Sequence, residues 1–194
     1  MTWRETDRRV FEAVRARRTP SRTRVARAIS GLAEPGVVYP VLAFAGVAGA
    51  GIAWRRDGWR RACPSPGLWR ACAPCLVVAA GAVVRRGLSE AIARHRPPED
   101  AWLAQPEGFS LPSRHTTMAA LAAGAGAQAL GVRGVPGDVV PMLAAAGVGA
   151  SRVYLGVHWP ADVVAGWLFA EGWLRLTGHL TALAAGRPPQ GPAR

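Results

Sequence analysis

The sequence has no lysine and no asparagine, and only three cysteines in 194 residues. Cys63, Cys72 and Cys75 are too few, and odd in number, for a disulfide scaffold. The low hydrophobicity of a disordered chain is missing too, since 50% of the residues are apolar. No stretch alternates polar and apolar residues as a strand does, and no internal repeat is present. Zinc-finger, RRM and KH signatures are absent, and the apolar runs are too long for such modules, so nucleic acid is not the expected partner. What is there is arginine. All 24 basic residues are Arg, against 12 acids, and 18 of them fall in the first hundred residues. Such a surplus suits an anionic membrane surface, where each basic residue gains about 1 kcal/mol.

Residues 1–35 read as an Arg-rich amphipathic leader, with Val10, Phe11, Val14 and then Val25, Ile29, Leu32 at helical spacing. Thr19-Pro20-Ser21 breaks the pattern. The leader lacks the apolar core of a cleavable signal peptide and can lie on a membrane surface. Five apolar runs follow: Gly36–Trp54, Ala71 to about Ala93, His115–Val132, Val139–Val157 and Val163–Gly186. Gly36–Trp54 is the clearest membrane span. All five are rich in Gly and Ala, as close helix packing in lipid favours. The Trp residues at 54, 59, 69, 102, 159 and 173 mostly flank the runs and read as an interfacial belt. Residues 36–186 form the expected domain, and 187–194 a disordered tail. The fold class is all-α, a membrane-embedded bundle of five to six helices, with a soluble all-α protein as the alternative.

Three polar segments are hard to explain by packing. They are Arg94-His95-Arg96-Pro97-Pro98, Pro112-Ser113-Arg114-His115, and Ser151-Arg152 followed by His158 and Asp162. Each lies at the end of a run. Runs that alternate in direction bring the three ends to one side, within reach of one site. Two histidines among arginines suit phosphoryl chemistry, because guanidinium forks match phosphate oxygens. One histidine can attack phosphorus and the other can protonate the leaving oxygen. His158 and Asp162 are four apart, on one helical face, so the carboxylate can hold the imidazole tautomer. Pro160 and Ser113 each suit a helix start, where free N–H groups face an anion. Cys72 and Cys75 spell CxxC without a second ligand pair and read as packing residues, as does His179.

This set resembles the type 2 phosphatidic acid phosphatase superfamily over about residues 70–175. The third signature, Ser-Arg-x5-His-x3-Asp, is complete at Ser151, Arg152, His158 and Asp162. The second, Pro-Ser-Gly-His, reads Pro112-Ser113-Arg114-His115. The first, Lys-x6-Arg-Pro, keeps Arg96-Pro97 but has Ser89 where Lys is expected. The resemblance implies His158 as nucleophile, Asp162 orienting it and His115 as general acid. It also implies Arg96, Arg152 and Ser113 as phosphate ligands, with no metal or other cofactor. Arg114 is the preferred replacement for the missing Lys charge. Arg85, about three turns before Arg96, is the other.

The function implied is metal-independent hydrolysis of a lipid phosphate in a multi-pass bacterial cell membrane. Polyprenyl phosphates or diphosphates are favoured by an Arg-only, high-GC composition. Phosphatidic acid and phosphatidylglycerol phosphate are the other candidates. A vanadium-dependent haloperoxidase and a non-catalytic protein on the same scaffold are the alternatives. Five spans put the leader and the site on one side of the membrane, and a sixth at 9–32 would put them on opposite sides. The several arginines of 9–32 count against that sixth span.

Overall fold

Prolines and threonines set where the helices begin. A computed structural model describes residues 2–57, 64–132 and 139–184, and among these it contains seven helices and no strand. Thr2 caps α1 (Trp3–Arg15) in a reciprocal capping box with Glu5. Thr19 caps α2 (Pro20–Gly31), whose first residue is the proline that broke the sequence pattern. Pro35 opens α3 (Pro35–Asp57). Then come α4 (Pro64–Ile92), α5 (Arg114–Leu130), α6 (Val139–Tyr154) and α7 (Pro160–Ala184). A 3-10 turn, Glu99–Ala101, lies in the long α4–α5 connection. The count exceeds the expected five to six because residues 9–32 are two short helices, neither of them long enough to span a bilayer. The expected disordered tail 187–194, with Trp59, Arg60, Arg61 and Cys63, lies outside the described residues.

Helix α5 is the axis of the bundle. It packs on α3, α4, α6 and α7, and Met118, Ala120, Leu121 and Ala125 meet Leu42, Val78, Val148 and Leu174 in one core. The outward faces stay apolar: Phe44 is 75%, Val47 65% and Val83 71% exposed. In water that surface would be a large apolar patch; in lipid it is the matching solvent. Pro35–Arg56 and Leu68–Ile92 are long and apolar enough to cross a membrane. Trp54 and Trp69 are exposed, as an interfacial belt requires. Trp173 departs from that expectation: it packs on the core and its indole N–H donates to the Val77 carbonyl.

Close approach depends on missing side chains. A Cβ on Gly49 would lie 2.0 Å from the Ala129 carbonyl oxygen, and one on Gly46 2.0 Å from that of Ala71. Helix α3 therefore touches α5 and α4 backbone to backbone. Gly49→Val is expected to cost at least the ~1–3 kcal/mol of core overpacking. It should lower the thermal midpoint in detergent by several degrees. Gly51→Ala, which meets nothing within 4 Å, should leave the midpoint unchanged; equal effects would refute the assignment.

Candidate active site

The ends of α4 and α6 and the starts of α3, α5 and α7 converge at one end of the bundle. Asp162, in the first turn of α7, is fully buried there. Its Oδ2 accepts from the Trp159 backbone N–H at 2.8 Å, from the Ser110 hydroxyl, and from His158 Nδ1 at 3.4 Å. Its Oδ1 accepts from Arg94 at 2.5 Å. His158, in the α6–α7 connection, is 1% exposed. Arg96 Nη1 lies 3.2 Å from His158 Nε2. A guanidinium only donates, so Nε2 carries the lone pair and Nδ1 carries the proton that faces Asp162.

Arg96 spends all its donors at once. Nε donates to the Gly108 carbonyl at 2.8 Å, and Nη2 to those of Glu107 at 2.6 Å and Phe109 at 2.9 Å. Nη1 bonds the Val157 carbonyl at 2.7 Å as well as the histidine. The residue thus staples the α4–α5 loop to the α6–α7 connection and leaves one N–H on the imidazole.

His115, in the first turn of α5, is buried, and its Nε2 lies 2.8 Å from Glu34 Oε1. Arg114 faces the same carboxylate at 3.6 Å and Glu107 at 3.3 Å. Ser113 is fully buried; its hydroxyl accepts from Thr116 at 3.0 Å, and its backbone N–H donates to the Asp162 carbonyl. Arg152 is 4% exposed and donates to Ser30 at 2.8 Å, while its buried Nε has no hydrogen-bond partner among the described residues. A buried donor left unmade costs roughly 1–3 kcal/mol, which an arriving anion can recover. Arg152 is near enough to Arg96, Arg114 and Glu34 to feel their charges. Ser89 is buried, and Arg85, one turn earlier on α4, is buried too and donates to the Pro112 carbonyl at 3.1 Å.

Burial, with the Arg96 and Arg152 charges adding to it, pushes the His158 imidazole down to about 4 against the bond from Asp162. Burial likewise brings Arg96 down to about 10. Glu34 is held below its usual range by the His115 hydrogen bond and the nearby arginines, which outweigh burial pushing it up.

Residues 70–183 match the model of the PAP2 superfamily, the type 2 phosphatidic acid phosphatases. The chain belongs to the PAP2 superfamily. One similar solved structure is the transmembrane PAP2 type phosphatidylglycerolphosphate phosphatase from Bacillus subtilis. It is 27% identical, with a TM-score of 0.71, over 92% of this chain and 86% of that one. An undecaprenyl-diphosphatase from Sulfolobus acidocaldarius is 63% identical over 27 residues, 14% of this chain. The chain spans only 13% of that relative's length in this match.

The PAP2 segment holds every signature residue. Outside it lie α1 to α3, and with them three site contacts that the sequence did not announce: Asp7, Ser30 and Glu34. Arg94 and Ser110 were missed as well, although Arg94 stands two residues from Arg96 in the same polar segment.

An unfolded imidazole takes its proton near 6.5, but His158 in the fold only near 4. The unfolded state therefore binds more protons across that window. The stability due to His158 is complete above about 6.5 and is lost as pH falls through the window. The thermal midpoint in detergent is expected to drop between about pH 7 and pH 5, and to drop less for His158→Asn. Equal slopes for the two proteins would refute this.

Proposed function

We propose that the protein is an integral-membrane lipid phosphatase of the bacterial cell membrane, crossing it several times and working through a phospho-His158 intermediate. The observation that carries the reading is the Arg96–His158 contact, which leaves the lone pair on Nε2, facing the arginines. That lone pair attacks phosphorus, and the bond from phosphorus to the leaving oxygen breaks. The leaving oxygen keeps the electron pair and takes a proton from His115. Water then attacks the phosphohistidine, giving its proton to His115, and the N–P pair returns to Nε2. Asp162 holds Nδ1–H throughout and steadies the imidazolium. Arg152 and Ser113 hold the phosphoryl oxygens, joined by the Arg96 Nη1–H that is released when the Nε2 lone pair attacks, and Arg85 and Arg114 together supply the charge that Ser89 lacks. Arginine charge takes the place a metal ion would have, so the reading needs no cofactor.

The preferred substrate is a polyprenyl phosphate or diphosphate, in line with the stretch shared with the undecaprenyl-diphosphatase. A phosphatidylglycerol phosphate is the second reading, favoured by the likeness in fold over most of the chain. Either substrate carries a long apolar tail. An open apolar groove of about 390 Å³ runs between α2 and α6, lined by Val25, Ala26, Ile29, Gly147 and Ala150 among others. It adjoins the Ser30–Arg152 pair, as a groove for the tail of a phosphate held there should.

Phosphate release by the detergent-purified protein tests the reaction. The panel is polyprenyl mono- and diphosphates, phosphatidylglycerol phosphate and phosphatidic acid, each with a chelator present. His158→Ala should lose at least a thousandfold. Arg85→Ala and Arg114→Gly should mainly raise KM. Release from no lipid, or release that survives His158→Ala, would overturn the reading.

Gly147 has open space beyond it, so Gly147→Leu should fill the groove without strain. It should slow long-chain lipids at least tenfold and leave a short-chain lipid phosphate untouched. Equal slowing of both would remove the groove from the substrate path.

A further inference from the structure

Behind the proposed nucleophile the polar network runs on into the first helix of the chain. Arg94 forks two carboxylates, Nη1 to Asp162 at 2.5 Å and Nη2 to Asp7 of α1 at 2.6 Å. The second oxygen of Asp7 accepts the Ala161 backbone N–H at 2.8 Å, at the start of α7. The guanidinium carbon lies over two indoles, 4.9 Å from the Trp3 ring centroid and 5.9 Å from that of Trp159. The side chains of Asp7 and Asp162 are 4% and 0% exposed, and that of Arg94 is 17% exposed. Asp162 accepts from four donors, with Ser110, Trp159 and His158 on Oδ2 and Arg94 alone on Oδ1.

We propose that Arg94, locked in place by Asp7 and Trp3 of α1, is a positioning residue that keeps Asp162 ionised and limits its pull on His158. The idea rests on the reading of His158 as nucleophile. A carboxylate that faced His158 alone would favour the imidazolium, which has no lone pair at Nε2. A cation on the far oxygen weakens that preference. It leaves Nε2 free in mild acid and weakens the hold of the pair on the phosphoryl group once transferred. The other charges around the pair are Arg96 and Arg152, both cationic, and Ser110 contributes a neutral donor. Among the described residues, Arg94 is the cation paired with the carboxylate that faces His158. Helix α1 lies outside the segment that matches the superfamily model, so the support reaches the site from beyond that segment.

The test titrates the His158 imidazole by 15N NMR in the full-length protein in detergent micelles, with the resonance assigned by its loss in His158→Ala. Arg94→Gln is expected to raise the protonation midpoint by about one unit or more, a tenfold change in proton affinity. Arg94→Lys should restore most of the original midpoint, and Asp7→Asn should shift it partway. In turnover of farnesyl diphosphate, a rise of the midpoint from about 4 to about 5 means that Arg94→Gln should lose about twofold near pH 5, approaching tenfold only below about pH 4, and almost nothing near pH 8. An unmoved midpoint in Arg94→Gln, or a loss equal at every pH that Lys does not rescue, would overturn the proposal. Should Arg94→Gln not fold, Asp7→Asn decides by the same midpoint: a partway rise supports the proposal and none overturns it. The titration needs no substrate, so it stands apart from the reading of His158 as nucleophile, which falls only if turnover survives His158→Ala.

Discussion

A carboxylate buried at the end of an apolar bundle has to be fully partnered, because an uncompensated buried charge costs several kcal/mol. Asp162 meets that demand by drawing in three separate pieces of chain. The α4–α5 connection brings Arg94 and Ser110, the α6–α7 connection brings His158 and Trp159, and α1 joins through Asp7 on Arg94. The backbone carbonyl of Asp162 also receives the Ser113 N–H, which ties the start of α5 to α7. The residues proposed for chemistry are therefore held by the group that proposed chemistry uses. Loosening that one side chain would release the loop, the α7 start and the first helix together.

The remaining positions follow from how closely the helices approach. Bare glycines let α3 lie on α4 and α5, with the small residues of α5 filling the centre. Bundling of this kind needs no polar pairing along the shafts, so polar contacts can collect at one end. The outward faces carry large apolar side chains, and Arg94, Arg96, Arg114 and Arg152 gather at the site end. A substrate with a tail in lipid and a phosphate at the interface fits that division.

Local patterns were legible in the sequence and distant ones were not. The four-residue step from His158 to Asp162 lies within one turn, so spacing alone predicts their contact. The helix start at Pro160 was legible for the same reason, while Pro20, read as a break in the pattern, opens α2. Arg85 was legible by its three-turn step to Arg96, but its bond to the Pro112 carbonyl was not. Arg96 was legible as a cation near phosphate, yet it also fastens three carbonyls of its own loop. Glu34 and Asp7 are carboxylates in an Arg-rich leader, which at the sequence level reads as a solvated surface. Their partners lie 81 and 87 residues away, and no periodicity signals such a pairing. The leader was expected on a membrane surface; α2 packs along α6 and α1 also touches α6 and α7.

The charge balance of the site suggests how substrate enters. Arg85, Arg96, Arg114 and Arg152 converge there, and like charges so close repel unless anions intervene. On the Arg114 side those anions are Glu34 and Glu107, and Glu34 also occupies Nε2 of His115. In the proposed reaction the leaving oxygen takes its proton from His115, whose Nε2 is the nitrogen that Glu34 holds. An arriving phosphate would therefore exchange with the Glu34 carboxylate, one anion for another, and would not enter an empty cationic hole. Exchange lowers the net gain on binding, since the arginines trade one partner for the next. In the proposed reaction it would equally ease departure of inorganic phosphate, because the Glu34 carboxylate stands ready to take its place. Arg152 Nε, buried and without a hydrogen-bond partner among the described residues, is the donor that such an exchange would satisfy anew.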